Sequence, residues 1–139
     1  MAAPAPNKPT ILIADDDPDI VEAVKLVLEG AGYEVLTAPN GTECLRKLRE
    51  RKPDLLILDV MMSTETEGFH VAYEIRNDPD LRDLPILMLT AIEQKFDFKF
   101  SPETDEDFLP VEDFVTKPIE PDELLSRVKK LLEKKQAQG

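Results

Sequence analysis

Short apolar runs recur along the chain, and each breaks at a polar residue: Ile11-Leu12-Ile13-Ala14 into Asp15-Asp16-Asp17, Leu55-Leu56-Ile57-Leu58 into Asp59, Ile86-Leu87-Met88-Leu89 into Thr90, and Phe114-Val115-Thr116 into Lys117. Uninterrupted runs of this length, bounded by turn residues, read as strands covered on both faces. Between them the apolar spacing changes to the helical period. Asp17 stands as N-cap and Pro18 at the first helical position before Ile20, Val24, Val27, Leu28 and Ala31, and Gly30 with Gly32 stops that helix. Residues 33–38 form a second strand, after which Pro39-Asn40-Gly41-Thr42 turns the chain into a basic amphipathic helix ending near Pro53. Residues 54–59 make the third strand. A helix carrying Phe69, Ala72 and Ile75 leads through Asn77-Asp78-Pro79 to a fourth strand, 85–90. The last strand is 113–116, and 121–135 form a final helix with Leu124, Leu125, Val128, Leu131 and Leu132 on its inner stripe.

Strand and helix alternate about five times, which predicts an α/β domain with a doubly wound, five-stranded parallel sheet. Residues 10–133 constitute the domain, with flexible tails at 1–9 and 134–139. In such a sheet the carboxyl ends of the strands border the crevice where ligands bind. The polar residues that end the apolar runs therefore converge at one edge.

Composition narrows what that edge can do. Seventeen Lys and Arg against 29 Asp and Glu leave a net charge of −12, which opposes contact with nucleic acid or an anionic membrane surface. No run is long enough to span a bilayer and the first residues lack a signal-peptide pattern, so a cytoplasmic protein is expected. Cys44 is the single cysteine and reads as a buried structural thiol; His70, also alone, reads as a surface or half-buried residue.

Three carboxylates at one sheet edge repel one another unless a cation joins them. All-oxygen ligands favour Mg²⁺, with Mn²⁺ as a substitute, over zinc or copper. A carboxylate beside such an ion can act as a nucleophile toward phosphorus. Lys117 offers a positive charge to phosphate oxygens and Thr90 a hydroxyl.

Taken in order, Ile-Leu-Ile-Ala-Asp15-Asp16-Asp17-Pro18, Pro53-Asp54-Leu-Leu-Ile-Leu-Asp59-Val-Met-Met, Leu89-Thr90-Ala91 and Phe114-Val-Thr-Lys117-Pro118 resemble the receiver domain of two-component response regulators over nearly the whole chain. The resemblance implies the flavodoxin-like receiver fold with strand order 2-1-3-4-5. It implies Asp59 as phosphoacceptor, Asp15, Asp16, Asp59 and the Met61 backbone carbonyl as Mg²⁺ ligands, Lys117 and Thr90 as catalytic partners, and Asp17 as a helix cap. It also implies a switch in which Thr90 moves toward the phosphoryl group and Phe114 changes its burial, and a cis bond at Lys117-Pro118. Partners would be a histidine kinase or a histidine phosphotransfer protein, and a downstream protein contacted through 91–116 and the last helix.

Two stretches depart from the family pattern. Ser63-Thr64-Glu65-Thr66-Glu67 before Gly68 makes a loop one residue longer than usual and adds two acids near the site. Between Thr90 and Lys117 stand 26 residues, more than the family uses, including the alternating Phe96-Asp97-Phe98-Lys99-Phe100 and two prolines. This predicts that the helix between the fourth and fifth strands is short, displaced or replaced by a loop. The expected protein is a monomeric, single-domain regulator, a phosphoacceptor rather than an enzyme, signalling by protein contact or phosphorelay. A haloacid-dehalogenase-type phosphatase and a phosphorylation-independent binding module are the alternatives. Apolar Met61 and Ile92 beside the site predict a long-lived phosphate.

Overall fold

The computed structural model describes residues 9–59, 67–91 and 113–138, with side chains left undescribed at 67–69, 90–91 and 134–138. Five strands, β1 (Thr10–Ala14), β2 (Glu34–Ala38), β3 (Leu55–Asp59), β4 (Ile86–Ala91) and β5 (Asp113–Lys117), form one sheet in the order β2-β1-β3-β4-β5. Every pairing is parallel. Among the described residues four helices accompany them: α1 (Pro18–Gly30), α2 (Gly41–Glu50), α3 (Glu67–Arg76) and α4 (Pro121–Gln138).

The apolar runs explain the layering. β1 and β3 are buried at every position, because successive side chains of a central strand alternate between two covered faces. Leu12, Leu56, Leu58, Ile86 and Met88 pack on one face with Cys44 and Leu48 of α2 and Ala72 and Ile75 of α3. Ile11, Ile13, Leu55, Ile57, Leu87 and Leu89 pack on the other with Val24 and Leu28 of α1 and Leu124, Val128 and Leu131 of α4. Each such buried aliphatic side chain contributes about 1.5–3 kcal/mol relative to exposure.

Helix ends follow local chemistry. Asp17 caps α1 by accepting the Asp19 N–H at 2.9 Å, and Asn40 caps α2 by accepting the Glu43 N–H at 2.8 Å. The stop of α1 differs from expectation: Gly30 is its last residue, Ala31 is the C-cap, and only Gly32, at φ 98°, adopts the left-handed conformation that ends the turn. The final helix runs to Gln138, through most of the stretch read as a tail. Residues 133–138 are good helix formers with no glycine or proline to stop them. Pro9 is also tied down, its carbonyl accepting the Glu34 N–H at 2.9 Å. The expectations for Met61, Ile92, the 63–66 loop and the segment 92–112 lie outside the described residues.

At the amino edge of the sheet the acids have partners. Asp54 accepts the Thr10 N–H at 2.8 Å, and Glu34 takes the Arg51 guanidinium at 2.7 Å. The carboxyl edge is arranged differently.

Candidate functional site

Register builds the carboxyl edge. Ala14, the last residue of β1, pairs with Leu58 of β3, so Asp15 leaves its strand beside Asp59, the last residue of β3. Asp15 and Asp59 are only 2% and 3% exposed, while Asp16 faces solvent. Carboxylate oxygens of these three residues lie within 4.8 Å of one another. Lys117 ends β5, two strands from β3 in the sheet order. Its Nζ stands 3.4 Å from Asp59 Oδ1 and 3.3 Å from Asp15 Oδ2.

The two oxygens of Asp15 are treated unequally. Oδ1 accepts the Asp17 N–H at 2.9 Å, which locks the carboxylate to the turn that begins α1. Among the described residues Oδ2 is buried without a hydrogen-bond partner, and the Lys117 ammonium faces its charge from 3.3 Å. An unfilled buried carboxylate lone pair is costly unless something else binds it.

Electrostatics point the same way. Burial, then the neighbouring Asp15 charge, pushes the Asp59 carboxyl up to about 7 against the opposing pull of Lys117. Burial and Asp15 also raise Asp16. For Lys117, burial acts to lower the ammonium pKa, but Asp59 and Asp15 together outweigh it and hold it above its ordinary value. Three clustered acids and one lysine carry about −2 when ionised, a charge that one hard divalent cation neutralises.

Thr90 is placed by its backbone in β4, one residue beyond Leu89, the register partner of Asp59, and paired with Thr116. Phe114 pairs with Met88 and is 37% exposed, so it is a surface residue rather than part of the core. The Lys117-Pro118 bond is cis. Residues 11–129 match the family model of the response regulator receiver domain. The chain belongs to that family.

Relatives agree. The chain is 40% identical over 122 residues to the alkaline phosphatase synthesis transcriptional regulatory protein PhoP of Bacillus subtilis, covering 88% of this chain and 48% of PhoP. Thus the chain spans about half the length of the curated relatives it matches. A solved structure from Chloroflexus aurantiacus, described as a response regulator, superposes with a TM-score of 0.80 at 38% identity, covering 91% of this chain and 99% of that one. The chemotaxis response regulator CheY4 of Vibrio cholerae gives 0.74 at 31% identity, covering 90% and 99%. Family membership displaces the haloacid-dehalogenase reading. Receiver domains are signalling domains of two-component systems and bind Mg²⁺ at an acidic cluster of the kind formed by Asp15, Asp16 and Asp59.

Of the residues singled out in the sequence, the structure brings Asp15, Asp16, Asp59 and Lys117 together. Asp17 serves as the cap, Cys44 is buried and His70 is exposed. Sequence reasoning missed a cluster at the far end of β5, where Arg127 of α4 meets Asp113 at 2.7 Å. Its only trace in the sequence is the four-residue spacing of Glu123 and Arg127.

Proposed function

We propose that this receiver accepts a phosphoryl group on Asp59 from the phosphohistidine of a histidine kinase or phosphotransfer protein and signals by protein contact or by passing the group on. The observation that carries the reading is the setting of Asp59: a carboxyl 3% exposed at a strand end, with Lys117 at 3.4 Å and a second buried acid, Asp15, beside it. An Asp59 oxygen attacks phosphorus as the donor P–N bond breaks, leaving an acyl phosphate, and the departing imidazole takes a proton.

Asp15, Asp16 and Asp59, with the Met61 carbonyl, would hold Mg²⁺, and Asp15 Oδ2, which has no hydrogen-bond partner among the described residues, fits that use. The bound ion supplies charge neutralisation for the donor's phosphate oxygens. Lys117 supplies a second positive charge and orients the Asp59 carboxylate. Thr90 is assigned the hydroxyl that meets the phosphoryl group, and Phe114 the side chain that answers its movement. Transcriptional roles named for relatives belong to those proteins. A net charge of −12 works against phosphate-backbone contact by these 139 residues.

Incubation with Mg²⁺ and acetyl phosphate, followed by intact mass, tests the assignment. One added phosphoryl group is expected, absent in Asp59→Asn and absent with EDTA. An adduct that persists in Asp59→Asn would remove Asp59 from the role, and no adduct under any condition would favour a phosphorylation-independent binding module.

A further inference from the structure

Arg127 precedes Val128, which is buried in the core between the sheet and α4, and its guanidinium reaches the first residue of β5. NH1 donates to both oxygens of Asp113 at 2.7 Å. Nε and NH2 hold Glu123 Oε2, one turn earlier on α4, at 3.2 and 3.1 Å. Asp113 Oδ1 also accepts the backbone N–H of Phe114 at 2.8 Å. A chain of charge-assisted hydrogen bonds therefore runs from α4 to one main-chain amide, that of a partly exposed aromatic residue.

The side chains of Arg127 and Asp113 are 35% and 24% exposed, so the pair is partly shielded and its geometry is held by Glu123. Among the described residues β5 is an edge strand, paired with β4 on one side. Charged contacts tie it at both ends: Asp113 to α4, and Lys117 to Asp15 and Asp59. Between them Val115 anchors the strand in the core while Phe114 and Thr116 face out. A displacement of the strand by about 1 Å takes contacts of 2.7 Å beyond hydrogen-bond range. Such a contact has two states, made and broken.

We propose that the Arg127–Asp113 pair is a latch that holds the start of β5 on α4 and keeps Phe114 in its exposed position, and that movement of β5 at its Lys117 end releases it. The stimulus rests on the phosphoacceptor reading of Asp59; the latch itself rests on the contacts above. Arg127 acts here as a positioning residue, through Asp113, on the Phe114 backbone.

Amide hydrogen exchange of the ¹⁵N-labelled full chain tests it by NMR. In Arg127→Met, exchange at the Phe114 amide rises about five-fold, a latch of ~1 kcal/mol, while exchange at Val115 stays as in the parent. Arg127→Lys, which retains a cation able to reach one oxygen, recovers part of the protection. Unchanged exchange at Phe114 in Arg127→Met overturns the latch, and so does an equal rise at Phe114 and Val115, which means general loosening. Beryllofluoride with Mg²⁺ added to the parent protein then raises Phe114 exchange as Arg127→Met does. If it shifts resonances around Asp59 and leaves Phe114 untouched, release by the site is overturned. If it shifts nothing around Asp59, the phosphoacceptor reading fails, and the latch is still decided by the Arg127→Met comparison.

Discussion

Asp59 binds its proton more tightly folded than unfolded, because burial and Asp15 raise its pKa from 3.8 to about 7. Between about pH 4 and 7 the native state therefore holds a proton that the unfolded chain has lost, and metal-free stability falls as pH rises through that window. Asp16, also raised, acts in the same direction. Urea titrations in EDTA are expected to show the protein more stable at pH 5 than at pH 8 by ~2 kcal/mol, with most of the slope absent in Asp59→Asn. Lys117→Met removes the cation 3.4 Å from Asp59 and 3.3 Å from Asp15, and steepens the same slope. A flat profile in the parent would contradict the burial account. The acids, the lysine and their order along the chain were legible in the sequence because each follows an apolar run. The lack of a donor to Asp15 Oδ2 among the described residues was not, since hydrogen-bond alignment depends on the turn that Asp17 makes.

Elements were legible wherever local chemistry sets them. Asn40 before Gly41 announced α2, and Asn40→Ala is expected to cost ~1 kcal/mol in denaturant unfolding, because the Glu43 N–H loses its acceptor. Gly32, at φ 98°, occupies a conformation that a Cβ disfavours although nothing lies within 4 Å of the added atom, so Gly32→Ala is expected to cost ~1 kcal/mol from backbone strain alone. Gly30 shares no such constraint, and Gly30→Ala in the last turn of α1 should be neutral or stabilising by circular dichroism melts. Glycine identity alone could not separate these two positions; only the backbone angle does. Strand limits moved by a residue or so for a similar reason. Tyr33, Asp54 and Pro85 look extended in sequence, but ladder pairing begins one residue later at each strand.

For the whole molecule, the sheet fixes a tension that its cores sustain. Aliphatic side chains on both faces, such as Ile57 and Leu58 at 0% exposure, hold β1 and β3 in register and so keep Asp15 and Asp59 together against their repulsion. A divalent cation that binds this cluster and not the unfolded chain stabilises the fold by mass action, about 2.7 kcal/mol at a concentration 100 times its Kd. Mg²⁺ is therefore expected to raise the melting temperature progressively, with Asp16→Asn requiring much higher concentrations for the same rise. Protons compete for the same oxygens, so the Mg²⁺ effect should be small at pH 5, grow as Asp59 ionises and level off above about pH 7. Differential scanning calorimetry across a grid of pH and Mg²⁺ measures both. A rise of equal size at pH 5 and pH 8, or one unaltered by Asp16→Asn, would place the ion elsewhere on this acidic molecule; Ca²⁺ and Mn²⁺ series would then show whether the binding is a site or charge screening.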